Sequence, residues 1–304
     1  MDTPILECVP NFSEGRDEGT LSAIESALRS VAGVVLLGRE ADADHHRSVF
    51  TIAGAPEAVK EAAIRAVGVA AEKIDLRKHI GEHPRIGSTD VVPFVPVRGM
   101  KLEDCIAIAH EAGNEIWERH GVPVYFYEAA ARHPERKRLE NVRRGQFEGL
   151  LEEVKLSAER APDVGDRNLH PSAGAVAVGA RKFLIAYNIN LATPKLEIAK
   201  AIAKKIRTSS GGLPHVKAMG VMLHSRKQAQ VSMNLTDFEV TSVAEVFRTV
   251  CIEAAALGVS VASSELIGFV PREAVEQGFA EMLQFENFRS QSVLENALDA
   301  KLKT

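Results

Sequence analysis

The amino-acid sequence predicts an α+β protein of two similar halves, each a mixed or antiparallel sheet with helices over one face. Three observations predict it. Helical and strand-like apolar spacings alternate along the chain. Strand–turn–strand pairs recur, which a doubly wound parallel sheet does not need. The order of elements met from Gly33 onward is met again from Gly220 onward.

Leu21, Ile24, Leu28 and Val31 recur at helical intervals, and Gly33 supplies a stop. The apolar runs 34–37 and 48–53 suit strands. Pro56 sits where a helix begins, and Val59, Ala62, Ala63, Val67 and Ala70 mark its apolar face. A loop rich in charge, Gly and Pro covers 75–90. Residues 91–97 are extended, and the prolines there predict a sheet edge. A helix over 102–119, a strand over 122–127 and a helix over 145–156 follow. The stretch 161–179, APDVGDRNLHPSAGAVAVG, is dense in turn residues and predicts a long, functional loop. Then come a strand over 183–191 and a helix from Pro194 to about Arg207. Strands at 221–224 and 229–235 flank a turn at 225–228. A helix over 242–257, a strand over 259–262 and Phe269-Val270-Pro271 close the repeat.

The chain has 304 residues, enough for two ordinary domains, and the loop above divides it into 1–179 and 180–304. Its 45% hydrophobic and 26% charged residues are the balance of a globular protein. A formal net charge of −4 argues against a general nucleic-acid binder. The three cysteines are scattered and form no C-x-x-C, which predicts no disulfide framework and a reducing compartment. The N-terminus has no basic, then apolar, leader, and no run reaches the ~18 apolar residues of a membrane span. A cytoplasmic protein without membrane or nucleic-acid partners is expected.

Motifs narrow the chemistry. No G-x-G-x-x-G follows a strand, and the Walker-like run from Gly174 to Gly179 continues with Ala180-Arg181 instead of Lys and Ser or Thr. No G-x-S-x-G occurs. The sharpest feature is His79-Ile80-Gly81-Glu82-His83-Pro84-Arg85, which matches the inverted zinc-protease pattern H-x-x-E-H. That pattern needs a helix, so that His79 and His83 share one face. Gly81 weakens such a helix by about 1 kcal/mol, and Pro84 disfavours helical geometry at His83. A loop presenting one imidazole beside Glu82 and Arg85 is expected instead. Histidine, with an unperturbed pKa of about 6.5, serves there as a general base. Asp42-Ala43-Asp44-His45-His46-Arg47-Ser48 precedes a strand; its two carboxylates and two histidines can bind a metal or equally steer the amine and carboxylates of an amino acid, with Arg47 the natural carboxylate partner.

Together these segments resemble the formiminotransferase family. The resemblance runs through Glu7-Cys8-Val9-Pro10-Asn11-Phe12-Ser13-Glu14-Gly15, Gly81-Glu82-His83-Pro84-Arg85-Ile86-Gly87 and Pro93-Phe94-Val95-Pro96-Val97-Arg98. It continues through Val122-Pro123-Val124-Tyr125, Gly179-Ala180-Arg181-Lys182-Phe183-Leu184-Ile185-Ala186 and Asn188-Ile189-Asn190-Leu191. Gln230-Val231-Ser232-Met233-Asn234-Leu235 and Gly268-Phe269-Val270-Pro271 complete it. The resemblance implies two tandem ferredoxin-like α/β-sandwich subdomains, a tunnel between them and a homodimer. It implies transfer of a formimino group from formiminoglutamate to tetrahydrofolate, the folate being co-substrate, with no metal required. His83 is then the catalytic residue. Gly165, Asp166, Arg167, Asn168, Leu169, His170, Pro171, Ser172, Ala173 and Gly174 correspond to the folate-binding segment. Asn11, Asp44, His46, Arg47, Glu82 and Arg85 are the substrate candidates, and His46 stands where the family usually has Asn. A stand-alone transferase without the cyclodeaminase domain is expected. Three rival readings exist. They are formyl handling from 5-formyltetrahydrofolate, a zinc hydrolase using His79 and His83, and a folate- or amino-acid-binding protein without turnover.

Overall fold

The structure, a computed structural model, describes residues 3–43, 45–81, 83–223 and 226–302. The chain divides into two compact units, Met1–Arg181 and Lys182–Thr304, and each has its own apolar cluster.

The first unit runs β1 (Ile5–Cys8), β2 (Asn11–Phe12), α1 (Glu18–Arg29), β3 (Val34–Asp42), β4 (Arg47–Gly54) and α2 (Pro56–Lys73). It continues with β5 (Thr89–Arg98), α3 (Leu102–His120), β6 (Val124–Glu128), α4 (Leu139–Val142), α5 (Gln146–Leu156) and β7 (Val176–Ala180). The helices start and stop where local chemistry allows. The Asp17 carboxylate accepts from the Gly19 and Thr20 amides at the head of α1. Pro56 opens α2, and Gly121, in the left-handed region, closes α3. Leu21, Ile24 and Leu28 of α1 are buried, as are Val59, Ala62, Ala63, Val67 and Ala70 of α2.

The second unit runs β8 (Ile185–Leu191), α6 (Leu196–Ile206), β9 (Val216–Leu223), β10 (Gln228–Leu235), α7 (Val243–Ala256) and β11 (Val261–Ile267), then α8 (Phe279–Met282) and α9 (Leu294–Leu302). Its sheet is antiparallel throughout, in the order β11-β8-β10-β9. The expected turn between β9 and β10 begins at Ser225, outside the described residues.

Both units use one topology. In the first, β5, β1, β4 and β3 lie side by side and antiparallel, so β1-α1-β3-β4-α2-β5 is a βαββαβ unit. In the second, β8-α6-β9-β10-α7-β11 repeats that order. This is the ferredoxin-like arrangement twice in tandem. The first sheet is larger because β7 joins β5 in parallel and β6 joins β7 in parallel, which makes it mixed. Strand β2 continues the track of β1 between β4 and β5 after Val9-Pro10.

Two expectations are corrected. The prolines of 91–97 do not mark an edge, because β5 lies inside the sheet between β1/β2 and β7. Pro93 accepts the Val9 amide at 3.3 Å, so its missing N–H falls at the break between β1 and β2, where no ladder bond is lost. Pro96 pairs with Leu6 at a register irregularity and lies beyond Phe94, the last β7 partner. Second, the loop expected over 161–179 ends early. Val176–Ala180 is a strand buried at every position. Its small residues reflect close packing, since a Cβ at Gly179 would strike the Tyr127 ring. No described helix is long and apolar enough to cross a membrane.

Candidate active site

Segment 79–90 and the β3–β4 turn meet at one end of the first sheet. None of the described residues from 79 to 84 is helical, so H-x-x-E-H does not adopt the geometry its zinc role needs. His79 is also fully engaged. Its Nε2 donates to the His46 carbonyl at 2.9 Å, and its Nδ1 accepts from Arg85 Nε at 3.1 Å. Burial first, then the nearby cations, push its imidazole below the usual histidine range, so the neutral tautomer fits both bonds.

His46 lies flat against His79, with 4.3 Å between centroids and 8° between planes. Its Nδ1 faces the Ile80 carbonyl at 3.1 Å and its Nε2 faces Glu14 Oε1 at 3.0 Å. Both ring nitrogens thus face oxygen atoms. Glu14 also accepts from the Gly15, Arg16 and Asp17 amides. Burial raises its carboxyl, but those amides and His46 outweigh it and hold the group below the ordinary value. Gly15 and Gly81 are small for steric reasons. A Cβ on Gly15 would meet the Asp42 carbonyl, and one on Gly81 would meet the His45 carbonyl.

Beneath His83 is a buried charge cluster. Asp90, at the head of β5, is 0% exposed. Its Oδ1 accepts from the Ile86 amide at 3.0 Å. Its Oδ2 accepts from Arg47 Nη1 at 2.7 Å and also from Arg143 Nη2. Burial raises the Asp90 carboxyl, but the two guanidiniums outweigh it and hold it at about 2. Arg47 is itself buried, and its Nε and Nη2 both donate to Asn11 Oδ1 at 3.1 and 2.8 Å. Desolvation lowers its pKa.

His83 is half-buried. Its Nδ1–H donates to the Pro84 carbonyl at 2.8 Å, which leaves Nε2 with the lone pair. Burial first, then the charges of Arg47 and Arg143, push this imidazole down to about 3, against Asp90 and the Pro84 bond. The ring of His45 stands edge-on, 6.3 Å away. The geometry is that of a neutral base with one nitrogen pinned and one available.

The other candidates divide. Arg85 forks onto Glu148 at 2.7 and 2.9 Å and reaches Gln146 at 3.3 Å, so it ties the loop to the head of α5. Asp44 and Glu82 lie outside the described residues. Gly165, Asp166, Arg167 and Asn168 are exposed, whereas Leu169, Ala173 and Gly174 are buried. His170 and Gly174 exchange backbone bonds at 3.0 and 2.9 Å, and His170 Nδ1 accepts from the Ala173 amide. Pro171 is exposed, and the Ser172 carbonyl accepts from the Leu76 amide. Ser88 donates to the Ala173 carbonyl and Ala175 to the Ile86 carbonyl, so segment 165–174 is stitched to the His83 loop. Sequence reasoning missed Asp90, Arg143, Glu14 and Glu148. Only Asp90 carries a local signal, as an acid heading the apolar run Val91–Val92.

Comparison with known proteins supplies the context. The formiminotransferase domain, N-terminal subdomain, matches residues 5–181, and the formiminotransferase domain matches 186–296. A glutamate formimidoyltransferase of Streptococcus pyogenes serotype M1 is 46% identical, over 97% of this chain and 98% of that protein. A protein of the same name from Thermoplasma acidophilum is 41% identical, over 97% of each. The formimidoyltransferase-cyclodeaminase of Rattus norvegicus is 44% identical over 89% of this chain but 51% of its own length.

Proposed function

From the premise that this chain belongs to the formiminotransferase family, we propose that it transfers the formimino group of N-formimino-L-glutamate to N5 of tetrahydrofolate. The products are L-glutamate and 5-formiminotetrahydrofolate. The observation that carries the assignment of chemistry is His83, whose Nδ1 is committed to the Pro84 carbonyl while Nε2 has no hydrogen-bond partner among the described residues and can move a proton.

The reaction needs one proton moved between two nitrogens. N5 of the folate attacks the amidine carbon, and its proton passes to His83 Nε2. The tetrahedral intermediate holds both nitrogens on one carbon. His83 Nε2–H then protonates the glutamate nitrogen, the bond from carbon to that nitrogen breaks, and the amine leaves. The imidazole ends as it began. The fixed Nδ1–H sets the ring's tautomer and aim for both steps. Holding the two substrates together supplies much of the remaining acceleration.

The folate is assigned to segment 165–174. Support comes from its exposed head at Gly165–Asn168 and from the backbone bonds that tie its tail to Ile86 and Ser88. Arg47 serves the donor amino acid through the Asp90 cluster, and Asn11 orients Arg47.

A steady-state assay with formiminoglutamate and tetrahydrofolate tests the reading, with glutamate and 5-formiminotetrahydrofolate both followed and His83→Ala run beside the wild type. Coupled appearance of both products, and a silent variant that still binds folate, is expected. Glutamate without a folate product, or turnover by His83→Ala, overturns it. Running 5-formyltetrahydrofolate with glutamate in parallel separates formyl from formimino chemistry.

A further inference from the structure

We propose that Arg143, braced on Asp90 beside Arg47, receives the α-carboxylate of the amino-acid donor next to His83. The inference rests on the transferase reading above and adds a residue to it.

The charge count points there first. Two guanidiniums, Arg47 and Arg143, share one carboxylate oxygen of Asp90, so among the described residues the cluster holds one net positive charge. Among the described residues, two nearby acids already have partners of their own. Glu14 faces His46, and Glu148 is forked by Arg85. A buried cluster short of negative charge is completed by an anion.

The donor geometry points to Arg143 in particular. Arg47 spends its Nε and Nη2 on Asn11 and its Nη1 on Asp90, and its side chain is 9% exposed. Arg143 gives one nitrogen to Asp90, and its buried Nε has no partner among the described residues. Its side chain keeps 15% exposure, so part of the fork is reachable. The residue follows α4, on a segment stitched to the His83 loop. Phe147 donates to the Arg85 carbonyl at 2.9 Å, and Gln146 accepts from Arg85. Arg143 therefore stands on a braced support, with its electrostatic field reaching the His83 imidazole.

The chemistry selects which carboxylate. In formiminoglutamate the α-carboxylate hangs from the carbon that bears the reacting nitrogen. The folate's own glutamate lies beyond an aromatic ring from N5. A subsite adjoining the proton-transfer histidine fits the first and not the second.

Kinetics of Arg143→Gln and Arg143→Lys test the assignment, with formiminoglutamate and with N-formimino-4-aminobutyrate, which lacks the α-carboxylate. Tetrahydrofolate is varied in mono- and polyglutamate forms. Arg143→Gln is expected to raise the donor KM roughly ten- to a hundredfold, the size of a charge-assisted hydrogen bond. The wild type loses a similar factor on the truncated donor, and Arg143→Gln loses nothing further. Arg143→Lys recovers part of the loss, since it keeps the charge without the fork. The proposal is overturned if the truncated donor is penalised equally in wild type and Arg143→Gln. A loss confined to the folate KM, growing with tail length, hands the subsite to the folate and overturns it too. So does a lower melting temperature with an unchanged donor KM. Should the wild type be silent with formiminoglutamate, the transferase reading fails separately. Calorimetry of L-glutamate binding to wild type and Arg143→Gln then still decides the subsite, because loss of heat in the variant supports it and equal heats overturn it.

Discussion

His79 and His46 hold each other's loops: the His79 ring donates to the His46 carbonyl, and the His46 ring stacks on it while facing the Ile80 carbonyl. The exchange fixes His79 and Ile80 against the β3–β4 turn, and none of the described residues from 79 to 83 is helical. Replacing His79 by Ala removes the stack and leaves Arg85 Nε and the His46 carbonyl unmatched. A stability loss of about 1–3 kcal/mol in urea denaturation is expected. The kcat should fall more than either KM rises, because the loop carrying His83 loses its aim while the substrate contacts stay. An unchanged kcat in a folded His79→Ala variant would show that the brace is irrelevant to the chemistry.

Asp90 is the larger risk to stability. Asp90→Asn keeps the shape, but it strips the one carboxylate that two buried guanidiniums share. Breaking a buried pair by removing one partner costs about 3–5 kcal/mol. Here the residual state has two close cations and no counter-ion. Chemical denaturation of Asp90→Asn should show a loss in that range, and a loss below about 1 kcal/mol, the size of an exposed pair, would contradict the cluster as described.

Stability should fall on acidification, and His83 should account for part of the fall. Its folded imidazole is pushed down to about 3, whereas an unfolded histidine titrates near 6.5. Above that upper value neither state binds the proton and the group contributes nothing. Between the two values the unfolded chain binds more protons, so the penalty grows as pH falls. Among the described residues, the groups facing His83 are Arg47, Arg143, Asp90 and the ring of His45. Asp90, held at about 2, adds a further loss below the unfolded carboxylate range. His79, His120 and His170 are lowered in the same direction and share the upper window. Urea midpoints measured from pH 7 to pH 4 should drop less steeply in His83→Gln than in the wild type. Parallel slopes would mean that His83 is as free to charge when folded as when unfolded.

Most of the helices were legible because each buries one stripe at helical spacing. The spacings of Leu21, Ile24 and Leu28, and of Val59 through Ala70, are also the observed buried faces. Strand β7 was not legible, because Ala-Val-Gly-Ala reads as turn chemistry when the side chains that forbid larger residues lie elsewhere, Tyr127 among them. Strand β5 was misplaced at an edge because the break after β1 that excuses Pro93 is a tertiary fact. The imidazole loop was legible from Gly81 and Pro84, which argue against helix locally. The cluster under it was not. Asp90 lies 43 residues from Arg47 and 53 from Arg143, and no spacing rule joins charges across such distances.

The junction between the folate segment and the His83 loop gives the sharpest separation of binding from folding. Gly174 has φ +71°, and a Cβ there would press on the backbone carbonyl of Ile86. That carbonyl also accepts from the Ala175 amide, so it cannot swing away without cost. Gly174→Ala therefore meets two penalties: left-handed strain of about 1–2 kcal/mol, and displacement of segment 165–174 from Ile86 and Gly87. Gly211 isolates the first penalty. Its φ is +83°, it lies in the other unit, and nothing stands within 4 Å of its Cβ position. Gly211→Ala should lower the melting temperature slightly and leave kinetics alone. Gly174→Ala should lower it further and raise the tetrahydrofolate KM, with less effect on the donor KM. If the two variants match in stability and both leave the folate KM unchanged, segment 165–174 neither depends on this contact nor carries the folate.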